Sequence, residues 1–316
     1  MNARGVFRGH RVALLCGGPS KERAVSFNTG AAIERALKGR GYDVVLIDPG
    51  ADLPARLVEA GASVVFNALH GTYAEDGRLQ GLLDWMRLPY TGDGLRASCL
   101  AFDKVLAKTA FRAAGLPVAD DAVWPSAEAA RRTLDDLPFG LPVVVKPVAE
   151  GSSVGTTLVF EAEAFGPALA AAAACGDVLV ERLVAGPELS VACFRDAVLG
   201  SVEIEPARSF YDYDAKYAAG AGTRYHLPPR LPGADVERLC ALGLAAHRAL
   251  GCRGATRTDV MWAGGSPIVL EVNTLPGMTA TSLVPKIAAS GGIPFDEFIE
   301  RVLDAATCGP RPESGS

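Results

Sequence analysis

The sequence predicts an α/β protein whose first part is a parallel sheet and whose remainder is two α+β units. Short, continuously apolar β-branched runs alternate with amphipathic helical stretches between residues 12 and 66. Strands that are apolar throughout, rather than alternating, fit a sheet covered on both faces. After Pro89 the pattern changes, and several strands follow one another with less helix between them.

The chain has 316 residues, 49% of them hydrophobic and 21% charged. That composition excludes a long disordered chain, because ample apolar surface offsets the entropy of folding. At this length about two domains are expected, with one or three still open. With 31 basic and 36 acidic residues the net charge is −5, so the chain as a whole is not a basic nucleic-acid binder. The seven cysteines include no CxxC pair, which argues against a zinc knuckle and for reduced thiols in a cytosolic compartment. Residues 1–11 lack the apolar core of a signal peptide, and no run approaches 18 apolar residues. A cytoplasmic protein without a membrane span is expected.

Taken in order, residues 12–15 read as a strand, ended by the Gly17-Gly18-Pro19 loop and followed by a helix over about 26–38. Strands at 44–47 and 64–66 flank a helical stretch over 53–59. In such a sheet ligand loops sit at the carboxyl ends of strands, where residues 17–22 and 70–76 fall. Residues 98–114 read as one helix stopped by Gly115 and Pro117. Strands are expected over 143–145, 157–160, 178–184 and 189–194, with a helix over 162–174. A strand at 202–204 leads into a polar, aromatic and proline-bearing stretch over 205–229, which reads as a long loop. Loops of that length are uncommon unless functional or disordered. A helix over 234–250, strands at 256–262 and 268–273 about a Gly264-Gly265-Ser266 turn, and a helix over 295–305 complete the chain, with a disordered tail from 309. Domain boundaries fall near 95 and 180, giving units 1–95, 96–180 and 181–316.

The C-terminal hairpin is the most informative segment. With its turn centred on Gly265, Asp259 lies across from Glu271 and Arg257 across from Asn273. Alternation then places an Arg, two carboxylates and an amide on one face. Facing carboxylates repel unless a cation lies between them, and an all-oxygen set suits Mg²⁺. The alternative is the solvated face of an amphipathic hairpin. A second cluster, Lys146-Pro147 and Glu150-Gly151-Ser152-Ser153-Val154-Gly155, follows a strand. Its glycines and hydroxyls let backbone N–H groups approach phosphate oxygens, although the Walker order is absent; an ordinary hairpin loop is the alternative. In a third cluster, Gly17-Gly18-Pro19-Ser20-Lys21-Glu22, the glutamate has the wrong charge for a phosphate loop. Glu22 suits an ammonium, or else it is a charge at the start of the next helix. His70 ends another strand and is either structural or part of a site.

These segments together carry a family resemblance. Gly17-Gly18 with Ser20, Glu22 and Val25-Ser26, His70-Gly71 with Glu75-Asp76-Gly77, Asp103-Lys104 and Val145-Lys146-Pro147 fall in order. They are followed by Glu150–Gly155, Phe210-Tyr211-Asp212-Tyr213 with Lys216-Tyr217, Arg257 with Asp259, and Glu271 with Asn273-Thr274 and Pro276-Gly277-Met278-Thr279. From about residue 11 to 305 the chain resembles the D-alanine–D-alanine ligases, which are ATP-grasp enzymes. The resemblance implies a three-domain ATP-grasp fold in which the two later units clamp ATP. It also implies ATP-dependent ligation of two D-alanines through an acyl phosphate, supplying a peptidoglycan precursor, by a homodimer without nucleic-acid or membrane partners.

Residue by residue, the resemblance implies that Asp259, Glu271 and Asn273 hold two Mg²⁺ ions, with Mn²⁺ able to substitute. Lys104 and Lys146 then neutralise phosphate charge under the Ser152-Ser153 loop, and Glu181, Arg182, Leu183 and Glu188 form the adenosine stretch. Glu22, with His70 beside it, binds the first D-alanine; Arg257 and the Gly277 N–H stabilise the oxyanion; Ser282 and Lys216 hold the second carboxylate. Ser152, Tyr217 and Glu22 fasten the 205–229 stretch as a lid that excludes water. Tyr217 favours the dipeptide over the D-lactate ester. Arg182 replaces a common lysine, which is harmless if the position acts through its backbone. Ala24, Ala74 and Ala255-Thr256 also depart from the family pattern, and Ala74 alters its loop if the position needs positive φ. Two other readings are a ligase for a D-serine or D-lactate acceptor and a non-catalytic nucleotide-binding protein of the same fold.

Overall fold

The computed structural model describes residues 5–206 and 222–309. Strands β1 (Arg11–Leu15), β2 (Asp43–Ile47) and β3 (Val64–Asn67) form a parallel sheet in the order β2-β1-β3. Val12 and Leu14 face a core shared with α1 (Arg23–Gly39). Ala13 and Leu15 face another, shared with α2 (Leu53–Glu59) and α3 (Arg78–Met86). The central strand is therefore apolar at every position because both faces are covered. Helix α3 had no counterpart in the sequence reading.

The single helix expected over 98–114 is two, α4 (Leu95–Phe102) and α5 (Lys104–Ala113). Asp103 breaks it with an extended backbone (φ −88°, ψ 107°) and caps α5, its carboxylate accepting from the Val105 and Leu106 N–H at 2.9 Å each. Aspartate is among the best residues for that position, and the cap offsets the lost helical turn.

Next come β4 (Asp121–Trp124), α6 (Ser126–Ala129), β5 (Val143–Pro147), β6 (Thr157–Val159), α7 (Phe165–Ala173) and β7 (Val178–Arg182). Their strands form an antiparallel sheet in the order β4-β7-β5-β6, covered by α7. The boundary expected near 180 cuts β7, whose partners β4 and β5 both precede it, so this unit extends through Arg182.

The last sheet contains β8 (Glu188–Phe194), β9 (Ala197–Glu205), β10 (Arg224–His226), β11 (Ala255–Ala263) and β12 (Ser266–Asn273), in the antiparallel order β10-β9-β8-β11-β12. Strand β10 lies within the stretch expected to be loop; residues 207–221 of that stretch, with Lys216 and Tyr217, lie outside the described residues. So does most of the tail expected to be disordered. One core joins this sheet to α8 (Gly233–Ala249) and also to Ala101, Ala107 and Phe111 of α4 and α5. Those helices therefore share an apolar core with the C-terminal sheet, while Lys108 and Arg112 of α5 also pair with Asp121 of β4 and Lys108 with Glu181 of β7. Helices α9 (Leu283–Ser290) and α10 (Phe295–Asp304) return the chain to the first sheet, where Ile287, Phe298 and Val302 pack with Val12, Leu14 and Ile33.

Glu300 fastens this return. Its buried carboxylate accepts from Arg8 (2.9 Å), Arg40 (2.9 Å) and Tyr42 (2.9 Å). Among the described residues no helix is long and apolar enough to cross a membrane.

Candidate active site

The hairpin β11–β12 places Arg257 opposite Asn273 and Asp259 opposite Glu271, as the sequence reading expects. The route to that register differs. The turn is the two-residue Gly264-Gly265 with both φ positive (55° and 91°), joining Ala263 to Ser266. Glycine adopts this left-handed pair at little cost, and its twist suits a hairpin. Such a turn alone would place Asp259 opposite Leu270 and turn Glu271 to the other face. A one-residue bulge between Asp259 and Val260 leaves Leu270 unpaired and restores the parity.

Within this patch Arg257 grips Asp259 in a two-pronged pair, Nε to Oδ1 at 2.7 Å and a terminal nitrogen to Oδ2 at 2.6 Å. Ser190, directly across on β8, donates to Asp259 Oδ1 at 2.6 Å. Asn273 Oδ1 accepts from the Leu275 N–H at 2.9 Å. A cation is thus already supplied by the chain, so the facing carboxylates do not by themselves require a metal. Among the described residues no three His, Cys, Asp or Glu side chains gather into a metal-binding group. Two carboxylates and an amide oxygen, each with lone pairs beyond these bonds, are hard oxygen ligands of the kind that suits Mg²⁺ sharing its shell with phosphates.

Two cavities meet here. The larger, about 550 Å³, is lined by Lys146, Ser153, Glu181, Arg182, Leu183, Glu188 and Asp259. The smaller, about 90 Å³, is lined by Glu22, His70, Glu75, Arg257, Asn273 and Gly277. Lys104, Glu150, Gly151, Ser152 and Glu271 line both.

On the larger side, Lys104 Nζ donates to the Glu150 carbonyl at 2.7 Å. Burial lowers its pKa from the ordinary 10.5, opposed by the charges of Glu271, Glu181 and Glu150. Lys146 pairs with Glu181, as does Lys108. Burial would raise the Glu181 pKa, but the two ammonium charges and their hydrogen bonds overcome it and hold it at about 2. Arg182 directs its guanidinium to Asp120 (3.1 Å) and over the Phe139 ring (5.2 Å), so that side chain is engaged elsewhere, and its backbone N–H donates to the Asp120 carbonyl at 3.0 Å. Ser152 and Ser153 both hold left-handed backbones (φ 50° and 60°). Such strain in non-glycine residues persists only where the surroundings enforce it, and it gathers at ligand clamps.

On the smaller side, Ser152 Oγ donates to Glu22 Oε1 at 2.5 Å across 130 residues of sequence. Glu22 stands at the N-cap of α1, at the start of that helix as the alternative expects, but makes no side-chain cap hydrogen bond there. Its other oxygen lies where a Cβ on Gly71 would come within 2.7 Å, and Gly71 has φ 73°. A side chain there would both strain the backbone and displace the carboxylate. Gly17 and Gly18 are not a phosphate loop: their N–H groups donate to Ser26 Oγ (2.8 Å) and Asp48 Oδ1 (2.9 Å). His70 is buried, 3.0 Å from Thr29 Oγ1 and 3.7 Å from Glu75 Oε1. Ala74 does not take positive φ; Tyr73 does (φ 73°), and the Ala74 methyl packs in the core. Ser282 stands at the N-cap position of α9 beside Gly277, where an added Cβ would meet its Oγ at 2.9 Å, and its Oγ also engages Thr279 Oγ1 at 2.8 Å.

Sequence reading missed Ser190 and Lys108. Lys108 carried a signal, a lysine between Ala107 and Phe111 on the apolar face of α5. Ser190 carried none, because its role depends on which strand β11 joins.

Comparisons with known proteins bear on the family of this chain. The families described as D-ala D-ala ligase C-terminus and N-terminus match residues 111–304 and 51–93. A D-alanine–D-alanine ligase of Anaeromyxobacter sp. (strain Fw109-5) is 54% identical over 304 residues, spanning 96% of this chain and 98% of that one. The ATP complex of the Bacillus anthracis D-alanine–D-alanine ligase superposes with a TM-score of 0.80 at 29% identity, covering 94% of this chain and 97% of that one. The VanG D-Ala:D-Ser ligase of Enterococcus faecalis gives 0.80 at 25% identity, covering 94% and 99%. With family matches, sequence relatives and fold in agreement, this chain belongs to the D-alanine–D-alanine ligase family.

Proposed function

We propose that the protein joins two D-alanine molecules to D-alanyl-D-alanine at the expense of ATP, a step that supplies peptidoglycan synthesis. One observation carries this reading: a nucleotide-sized cavity and a small one lined by Glu22, His70, Arg257 and Gly277 meet at Lys104, Ser152 and Glu271. A phosphoryl group and an amino-acid carboxylate would come together at that junction.

ATP lies in the large cavity, with Glu181, Leu183 and Glu188 at the adenosine end and Lys104, Lys146 and the Ser152-Ser153 loop at the phosphates. Asp259, Glu271 and Asn273 would hold Mg²⁺, as two ions, which neutralises phosphate charge when bound. Glu22 orients the ammonium of the first D-alanine. The carboxylate oxygen of that D-alanine attacks the γ-phosphorus, ADP leaves, and an acyl phosphate forms. The amine of the second D-alanine, held by Ser282 and Lys216, attacks the carbonyl carbon. The oxyanion is met by Arg257 and the Gly277 N–H; it then collapses, the C–O bond to phosphate breaks, and the phosphate leaves with the amine's proton. No side-chain nucleophile is needed, because positioning and charge stabilisation suffice. Tyr217, with Ser152 and Glu22, closes the lid against water. The D-Ala:D-Ser alternative is weaker, since relatives at 45–54% identity are named D-alanine–D-alanine ligase.

The test is phosphate release from Mg-ATP, expected only with D-alanine present, together with Glu271→Gln. That variant is expected to bind ATP and lose most turnover. ATP binding without D-alanine-dependent release would favour the non-catalytic reading, and a near-normal rate in Glu271→Gln would remove the metal assignment.

A further inference from the structure

Beneath the large cavity runs a line of alternating charges that the ligation chemistry leaves unexplained. Arg112 pairs with Asp121, Lys108 lies 3.2 Å from Asp121 Oδ1 and pairs with Glu181 Oε1, and Lys146 pairs with Glu181 Oε2. Lys108 Nζ also donates to the Ala119 carbonyl at 2.9 Å. The Arg112 end reaches solvent, whereas Lys108 and Glu181 are buried. Lys146 and Glu181 line the cavity; Lys108 stands behind them.

Each oxygen of Glu181 is thus matched by one ammonium. A phosphate arriving in the cavity competes with Glu181 for Lys146. If Lys146 were the sole counter-ion, moving it would strand a buried carboxylate, which is strongly unfavourable. With Lys108 in place, Glu181 keeps a partner while Lys146 turns to the phosphate.

We propose that Lys108 is a positioning residue for nucleotide binding: as the second counter-ion of Glu181 it releases Lys146 to the phosphates. The proposal rests on the reading that ATP occupies the large cavity with its phosphates at Lys146. It concerns affinity for the phosphate end, not for the base.

Lys108→Met tests it. Glu181 keeps Lys146 and Asp121 keeps Arg112, so no carboxylate is orphaned and the variant is expected to fold. Calorimetry with Mg²⁺ and the non-hydrolysable analogue AMP-PNP is expected to show about a tenfold or greater loss of affinity, the size of one charge-assisted contact. Adenosine, which has no phosphate, is expected to lose less than about twofold. In a Glu181→Gln background the ion pair that holds Lys146 is gone, so adding Lys108→Met is expected to change AMP-PNP affinity little. Unchanged AMP-PNP binding, a parallel loss for adenosine, or the same loss in the Glu181→Gln background each overturns the proposal while leaving the ligase reading intact. Failure of the unmodified protein to bind AMP-PNP overturns that reading and this proposal with it.

Discussion

Glu300→Gln should loosen the return of the C-terminal helices onto the first sheet. Glu300 is 1% exposed and meets Arg8, Arg40 and the Tyr42 hydroxyl. Burial alone would raise its pKa, but the hydrogen bonds from Arg40, Arg8 and Tyr42 prevail and hold it at about 2, against an ordinary 4.5. Since the folded value is depressed, the stabilisation is present above pH 4.5 and is lost as pH falls towards 2. That difference corresponds to about 3 kcal/mol at pH 7, falling by about 2 kcal/mol by pH 3. Glutamine fits the space but carries no charge, so its stability should lack this pH-dependent part. Urea unfolding of both proteins between pH 7 and pH 3, followed by circular dichroism, measures it. A variant as stable as the unmodified protein at pH 7, or a difference that stays constant with pH, would refute the ion-pair account.

Two further perturbations act near the site. Arg257→Ala is expected to lower kcat by roughly 10²–10³, the usual loss for one oxyanion donor, with nucleotide affinity nearly retained; steady-state kinetics alongside AMP-PNP titration check it. Asp93 is buried and accepts from the Arg253 and Gly254 N–H at 2.5 and 2.8 Å, yet burial raises its pKa to about 6 from 3.8. Its folded form gains a proton between those values, so stability falls as pH rises through them, a cost of about 3 kcal/mol above pH 6. Asp93→Asn is therefore expected to stabilise the protein at pH 8 and to do little at pH 4, as read from urea midpoints at both pH values.

Much of this protein is determined along the chain. The unbroken apolar run at Val12–Leu15 announces a strand covered on both faces, because neighbouring side chains point to opposite sides. Two-residue alternation also brings Arg257 and Asp259, and Glu271 and Asn273, onto common faces, and the order of the Glu22, Ser152 and Asn273 motifs suffices to name the family. Asp103 could have been read as a cap, since its side chain serves residues two and three places on. Only the folded chain decides the rest. The Leu270 bulge, not the turn, sets which acids face each other; Arg257 neutralises Asp259; and α4 and α5 pack their apolar faces on a later sheet. Lys108 acquires its partners from β4 and, 73 residues on, from β7. The reason is physical: period and turn chemistry are local properties of a strand or helix. Pairing of buried charges depends on which distant elements the packed core brings within hydrogen-bond reach.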